Sequence, residues 1–209
     1  MRYNLELSFQ KSCESVFDNK YVWENDPFSE NGCRIKIPLC KRTFNPKCNC
    51  AYLHIENEKN LIDPLKKYPN CLFFSAHIGN WELTSHPMTQ FGKKVWFIYR
   101  APNNPLVDTL LRKIRKNYGV GLIKKGPEGA KECIKLLKKN GENIGMLIDQ
   151  KMNDGIESIF FGQRVMTASA IAKFALKYKC PIIPAVCVRT NGVNFNIKYY
   201  PEITQEKIK

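Results

Sequence analysis

A histidine and a carboxylate lie five positions apart in the segment spanning residues 77–82. The segment directly follows the apolar run 71–76, which is typical of a buried strand. Imidazole is the side chain best able to accept a proton near neutral pH, and a nearby carboxylate fixes which ring nitrogen faces a substrate. We therefore predict that His77 is a general base and that Glu82 orients it.

The two groups can meet only if the chain turns between them. Residues five apart on one regular helix are separated by roughly 140°, which points His77 and Glu82 in different directions. Gly79 tolerates the positive φ of a turn, and Asn80 can cap a following helix, which Pro87 would kink or end early. The alternative, a structural histidine with an acid favoured by the helix dipole, stays open on these residues alone.

Downstream of residue 50, apolar strands alternate with amphipathic helices. This pattern predicts an α/β fold, an open mixed sheet of mostly parallel strands flanked by helices. Asn191-Gly192 predicts a hairpin into an antiparallel return strand. Residues 1–50 follow neither period, and we expect an irregular, poorly ordered N-terminal segment there, followed by one working domain over residues 51–209. The predicted strands cover residues 52–56, 71–76, 95–99, 120–123, 143–148, 181–188 and 195–200.

Polar residues follow several of these strands. His77 lies after the strand 71–76, Arg100 follows the strand 95–99, and Asp149 and Gln150 follow the strand 143–148. Ligands of open α/β sheets bind at the edge formed by the carboxyl ends of the strands. Asp149 is therefore a candidate site residue, with loop capping as an equal alternative.

Arg115 lies on a helix that Asn104 is predicted to cap, with Pro105 in its first turn. Its apolar residues repeat at helical spacing and are expected to face the core. The basic surroundings of Arg115 leave a plain solvated charge open as an alternative. The expected inward residues are Leu106, Val107, Leu110, Leu111 and Ile114.

Three further predictions concern Thr167, the pair Phe160-Phe161 and His86. Thr167 is predicted to cap a helix over residues 167–179. The pair Phe160-Phe161 is expected in the core, with an acyl-binding groove as the alternative. His86 is expected on the surface and outside the site.

The chain has 33 basic and 19 acidic residues, a formal charge of +14. This balance favours polyanionic partners, among them nucleic acid, anionic lipid, phosphorylated substrates or an acidic carrier protein. Only eight of the basic residues are arginine, so scattered lysines that merely keep the surface soluble explain the charge about equally well. We find no cluster of arginines and aromatic residues of the kind that binds nucleic acid, and expect no nucleic-acid partner.

The nine cysteines form an odd set, and several lie inside apolar runs, which indicates a reducing compartment rather than a disulfide framework. The spacing of Cys33, Cys40, Cys48 and Cys50 lacks the paired C-x2-C of common zinc sites, so we predict free thiols and no metal. No apolar stretch reaches the roughly 20 residues of a membrane span. Any membrane contact of this sequence is therefore expected to be peripheral.

Residues 71–82 resemble the strand and H-x-x-x-x-D/E motif of glycerolipid and lipid A acyltransferases. Four further segments match in order, and together the set resembles the late acyltransferases that acylate lipid A precursors, over about residues 52–203. Members of that family usually carry an N-terminal membrane helix, which this sequence lacks, so it resembles a member shortened at both ends. The four segments are Tyr99-Arg100 with Asn103-Asn104-Pro105, Arg115 before Gly119, Asp149-Gln150, and Phe160-Phe161-Gly162 with Thr167.

The resemblance implies transfer of a fatty acyl group from acyl carrier protein to a hydroxyl of a phosphorylated, glucosamine-based lipid in lipopolysaccharide biosynthesis. It places this activity at the cytoplasmic face of the inner membrane, on an anionic membrane surface and with no metal or nucleotide cofactor. His77 and Glu82 would be catalytic, while Arg100, Arg115, Asp149 and Gln150 would bind substrate. The alternatives are another glycolipid or lysophospholipid acyltransferase, or an inactive remnant of the family.

Overall fold

The computed structural model describes residues 23–25, 32–37, 51–192 and 194–208. The strands are β1 (Trp23–Asn25), β2 (Gly32–Ile37), β3 (Ala51–Glu56), β4 (Leu72–Ser75), β5 (Lys94–Tyr99), β6 (Val120–Lys124), β7 (Glu142–Leu147), β8 (Ile156–Phe160), β9 (Gln163–Thr167), β10 (Ile182–Asn191) and β11 (Asn194–Tyr199). The helices are α1 (Lys59–Lys67), α2 (His86–Gln90), α3 (Pro105–Asn117), α4 (Pro127–Leu137), α5 (Ala170–Tyr178) and α6 (Gln205–Ile208). A 3-10 helix spans Trp81–Ser85.

Seven strands form the body of one open sheet in the order β3-β11-β10-β4-β7-β5-β6. The pairs from β10 through β4, β7 and β5 to β6 are all parallel, as is β11 with β3. The β10–β11 pair is antiparallel, as the Asn191-Gly192 signal predicts. The predicted α/β class and the mixed, mostly parallel sheet are confirmed.

Helices cover both faces of this sheet, because neighbouring residues of a buried strand point to opposite sides. On β4, Phe73 packs into a core cluster with α1, the 3-10 helix and α2, whereas Leu72 packs into a second cluster with α4 and α5. On β10, Ile183 and Ile182 divide between the same two clusters. The site at the sheet edge therefore rests on strands that are held from both sides.

Two short strands belong to the predicted N-terminal segment. β2 pairs antiparallel with β3, and β1 pairs antiparallel with β2, so both extend the sheet at that edge. The other residues of 1–50, including Cys40, Cys48 and Cys50, lie outside the described residues. The predicted domain boundary at residue 51 and the predicted irregularity before it stay predictions.

Helix α3 begins as predicted, with the Asn104 side chain accepting a hydrogen bond of 2.9 Å from the Leu106 backbone N–H. Its expected inward face is wrong in part, because Leu106 is 79% exposed and Leu110 is 46% exposed. The buried residue of α3 is instead Asp108, whose Oδ1 accepts a hydrogen bond of 2.8 Å from the Tyr99 hydroxyl. Lys124 approaches its other oxygen at 3.5 Å. A polar contact at the ends of β5 and β6 thus holds the start of α3.

This contact determines how Tyr99 and Asp108 ionise. Burial and the hydrogen bond to Asp108 raise the pKa of Tyr99, which keeps the phenol protonated as the donor. The hydrogen bond from Tyr99 lowers the pKa of Asp108 despite its burial, and Lys124 adds to that effect. Asp108 is therefore an anion that anchors α3 beside the strand ends.

The segment between β7 and α5 differs from its prediction. Thr167 ends β9 and shares a hydrogen bond with Ser158 across the hairpin, so it does not cap α5, which begins at Ala170. Phe161 and Gly162 form the two-residue turn between β8 and β9, with φ values of 49° and 74°. Positive φ at both positions matches the right-handed twist of a hairpin, and the turn exposes the aromatic pair that we expected in the core.

His86 is wrong as a surface residue, because it is buried in α2 with its ring centroid 5.7 Å from that of Tyr118. Burial lowers the pKa of His86 to about 4 from 6.5. Between those values the unfolded chain holds a proton that the folded chain lacks, so stability falls as pH falls. We expect this residue alone to remove about 1.4 kcal/mol of unfolding free energy between about pH 7.5 and about pH 5.5.

Denaturant unfolding of the wild type and of His86→Phe at both pH values measures this contribution. The phenylalanine variant keeps a ring against Tyr118 but does not titrate, so its unfolding free energy is expected to fall less on acidification. All other residues are the same in both proteins, so their contributions cancel in the comparison. Equal losses in the two proteins would contradict the assignment.

Candidate active site

The register of two neighbouring strands brings His77 to Asp149. β4 and β7 are parallel and pair Ser75 with Leu147, so the residues two positions beyond each strand lie side by side at the carboxyl edge. The Asp149 Oδ1 atom lies 2.8 Å from His77 Nδ1, and its Oδ2 atom accepts a hydrogen bond of 2.9 Å from the His77 backbone N–H. One carboxylate therefore holds both the ring and the backbone of the histidine.

This arrangement sets the protonation of the pair. Burial raises the pKa of Asp149, but the hydrogen bonds from the backbone N–H and ring of His77 outweigh burial and hold that pKa below its usual value. An ionised Asp149 can only accept, so His77 Nδ1 carries the proton and donates it. When the ring is neutral, Nε2 is therefore the nitrogen that can accept a proton. The His77 side chain is 41% exposed, which leaves the imidazole open to a reactant.

The turn after His77 follows the prediction at Gly79 but not at Asn80. Gly79 has a φ of 59°, and a Cβ atom at this position would lie 2.2 Å from the Cys187 carbonyl oxygen on β10. Only glycine combines this conformation with this close approach. Asn80 makes no side-chain cap; its carbonyl instead accepts a hydrogen bond of 3.1 Å from the Leu83 N–H. The chain therefore continues as a tight 3-10 helix that carries Glu82 away from the imidazole.

Glu82 pairs with Arg115 of α3. The Arg115 Nε atom donates a hydrogen bond of 3.0 Å to Glu82 Oε2, and Arg115 Nη2 donates a second, short one to Oε1. Among the described residues no hydrogen bond joins Glu82 to His77. The predicted His77–Glu82 pairing is wrong in this structure, since Asp149 occupies Nδ1 and a bidentate guanidinium occupies the Glu82 carboxylate.

Trp81 connects the two pairs, a contact that the sequence reasoning missed. Its ring meets the His77 ring edge-on with centroids 6.1 Å apart, and the Arg115 guanidinium lies 5.6 Å from its centroid. Phe97 of β5 packs against it at 5.9 Å. An aromatic residue between a histidine and an acid in the motif was the available signal. Trp81 therefore positions the imidazole and the guanidinium relative to each other.

The other predicted site residues are less closely placed. Arg100 and Gln150 are both exposed, directly after β5 and three residues after β7. Among the described residues neither forms a hydrogen bond or ion pair with His77 or Glu82. Their substrate-binding roles stay predictions, as does the role of Arg115 beyond its pairing with Glu82.

The Glu82–Arg115 pair gives a separate prediction. The Arg115 side chain is 13% exposed while that of Glu82 is 43% exposed, so the arginine depends more on its partner than the glutamate does. Glu82→Gln is expected to lower the unfolding free energy by about 1 kcal/mol, because it leaves a mostly buried guanidinium without its counter-ion.

Thermal or denaturant unfolding checks this expectation, with Glu128→Gln as the matched control. Glu128 also pairs with a cation, Lys131, but both side chains are largely exposed, so that substitution is expected to change stability little. An equal loss in both variants would contradict a special role of the Arg115 pair.

Comparison with known protein families gives a match over most of the chain. Residues 37–208 match the family described as bacterial lipid A biosynthesis acyltransferase. The match includes His77, Glu82, Arg115 and Asp149. A search of curated proteins finds no match to this chain. In the part of the chain that the structure describes, no helix has the length and apolar character to cross a membrane.

Proposed function

Because the chain belongs to the bacterial lipid A biosynthesis acyltransferase family, we propose that it transfers a fatty acyl group from acyl carrier protein to a hydroxyl of a lipid A precursor. The observation that carries the proposal is the hydrogen-bonded His77–Asp149 pair at the carboxyl edge of the sheet. A neutral imidazole held by a carboxylate, with its second nitrogen open, is the machinery that activates a hydroxyl.

In the proposed reaction His77 Nε2 takes the proton of the acceptor hydroxyl as that oxygen attacks the thioester carbonyl. The new carbon–oxygen bond forms, the carbon–sulfur bond breaks, and the thiolate of the carrier takes the proton from the imidazolium. Asp149 stabilises the positive charge that the ring gains between these steps. The proton taken from the hydroxyl leaves on the carrier thiol, so the transfer needs no covalent acyl-enzyme.

The arginines supply the positive charge that the substrate needs. Arg100 is exposed at the carboxyl end of β5, where it can meet a lipid phosphate. Arg115 is held by Glu82 and Trp81, and we assign it to substrate binding at the same carboxyl edge of the sheet. Gln150 follows Asp149 and is proposed to contact the acceptor. Glu82 then acts on the reaction through Arg115 rather than through the imidazole.

The proposed donor and location follow from charge and family. A formal charge of +14 suits an acidic carrier protein and an anionic lipid surface, and the acceptor itself is a lipid. We propose that the protein works at the cytoplasmic face of the inner membrane, where acyl carrier protein supplies the donor. We propose that its contact with that membrane is peripheral.

The test is an acylation assay with purified protein, a long-chain acyl carrier protein and a phosphorylated lipid A precursor that retains free hydroxyls on its acyl chains. Mass spectrometry is expected to show a product heavier by one acyl group, formed only when both substrates and active protein are present. Transfer to a lysophospholipid but not to the precursor would replace the proposed acceptor. No transfer to either, by protein that remains folded, would reject the activity.

A further inference from the structure

Exposed apolar side chains concentrate on one edge of this protein. Among the described residues ten large apolar side chains are exposed, and seven of them follow the carboxyl ends of β4, β5 or β7. Those three strands are neighbours in the sheet, and His77 follows one of them. We call six members of this set, all except Ile156, the apolar edge. They are Ile78, Leu106, Leu110, Ile159, Phe160 and Phe161.

The hairpin β8–β9 carries the most prominent part of the apolar edge. It forms a separate two-stranded sheet, and its turn presents Phe161 at 90% exposure next to Ile159 at 78%. The Phe160 and Phe161 rings pack against each other with centroids 4.7 Å apart. The hairpin leaves the sheet after Asp149 and returns to α5, which leads back toward the start of β10, so its base lies at the edge that holds the catalytic pair.

Helix α3 carries the second part. Leu106 and Leu110 lie one turn apart at its amino end, which follows β5 at the same edge. Exposed apolar residues thus follow neighbouring strands, at a helix start and at a hairpin turn. Exposed apolar side chains that are grouped rather than scattered indicate an interaction surface. A surface of this kind is expected to have a partner.

Cations accompany the apolar residues. Arg100, Lys125 and Lys151 follow β5, β6 and β7, all three are exposed, and none forms an ion pair with another described residue. The acids nearest the catalytic residues are already engaged, Asp149 by His77 and Glu82 by Arg115. Apolar side chains together with unpaired cations match the interface of an anionic bilayer, which offers hydrocarbon behind negative headgroups.

We infer that the apolar edge, with Arg100, Lys125 and Lys151, is the surface by which this protein docks on anionic membrane lipid. The choice of lipid over a protein partner rests on the proposed function, because the acceptor is itself a lipid and His77 lies on this edge. Docking here inserts the Phe160-Phe161 turn and Leu106 between the headgroups. The acceptor then reaches His77 without leaving the bilayer surface.

The test is co-sedimentation of the purified protein with vesicles of phosphatidylcholine, with and without phosphatidylglycerol. Binding is expected to require phosphatidylglycerol and to weaken with added salt. Replacing both aromatics, Phe160→Ser with Phe161→Ser, is expected to weaken binding about tenfold or more, as is Lys125→Gln with Lys151→Gln. Leu176→Ser is the matched control, because Leu176 is as exposed as Leu110 but lies near the far end of α5.

Several outcomes overturn the inference. These are no preference for anionic vesicles, an aromatic double variant that binds as well as the wild type, or an equal loss in Leu176→Ser. Loss of affinity for acyl carrier protein in the aromatic variant, with unchanged vesicle binding, would assign the surface to the carrier instead.

Vesicle binding and acyl transfer are separate measurements, so each proposal can fail alone. Normal vesicle binding by a protein that transfers nothing would reject the proposed function and keep the docking surface. Transfer to a detergent-dispersed acceptor by a protein that ignores vesicles would do the reverse.

Discussion

We expect His77→Ala to lower kcat for acyl transfer by about 10³-fold, because it removes the proposed general base. In the proposed reaction Nε2 accepts the proton, because the contact with Asp149 already occupies Nδ1. The substitution leaves Arg100 and Arg115, the proposed substrate-binding residues, in place, so KM is expected to change much less than kcat. Initial rates with acyl carrier protein and the lipid precursor measure both quantities.

His77→Gln is the sharper control for this result. The glutamine amide can still donate a hydrogen bond to Asp149, and the backbone N–H that binds Asp149 Oδ2 is unchanged, so the fold of the edge should persist. A glutamine cannot take up and return a proton, and its activity is expected to be as low as that of the alanine variant. Either variant retaining a tenth or more of wild-type kcat while folded would reject the general-base role.

The sequence predicts the parts of this site that depend on short-range patterns. The apolar run over residues 71–76 predicts a buried strand, and Gly79 predicts a turn with positive φ, both of which the structure confirms. The Asn104 cap of α3 is likewise a local interaction and is confirmed. Each of these depends on residues within a few positions of one another, which the sequence places together by itself.

The partner of His77 could not be predicted from such short-range patterns. Asp149 is 72 positions away and reaches the histidine only because β4 and β7 are neighbours in the sheet, whereas Glu82 is near in sequence but turns away. The sequence supplies both strands and both residues but not the order of strands. That order depends on how all the strands pack together between the two layers of helices that cover the sheet. The rule that polar residues gather at the carboxyl edge nevertheless identified Asp149 as a candidate.

The prediction of an inward apolar face on α3 is wrong in part for a different reason. Helical spacing of Leu106, Leu110 and Ile114 predicts an apolar face but not what covers it. In the structure Asp108 is buried instead, because Tyr99 and Lys124 supply its hydrogen bond and charge at the strand ends. A buried carboxylate needs such partners from distant elements, and a single helix sequence does not contain them. For the same reason the local sequence did not predict that the Phe160-Phe161 turn is exposed.

Asp149→Asn is expected to lower kcat on the order of 10²-fold, more than Glu82→Gln does. Asp149 accepts two hydrogen bonds from His77, one at each oxygen. Asparagine has one oxygen and one NH₂ group, so one His77 donor must face another donor, or the ring must place its proton on Nε2. Both results disturb the proton acceptor while leaving the bulk of the side chain unchanged.

The split between kcat and KM separates this positioning role from a merely structural one. The pKa of Asp149 lies below its usual value, so its contribution to stability is fully present above the ordinary carboxyl range and is lost only as pH falls through its folded pKa. At neutral pH the ionised carboxylate therefore holds the imidazole, and Asp149→Asn is expected to lower kcat while KM changes little. Near-normal kcat in Asp149→Asn would show that Asp149 does not support the base, whereas a larger loss of kcat in Glu82→Gln would return the orienting role to Glu82.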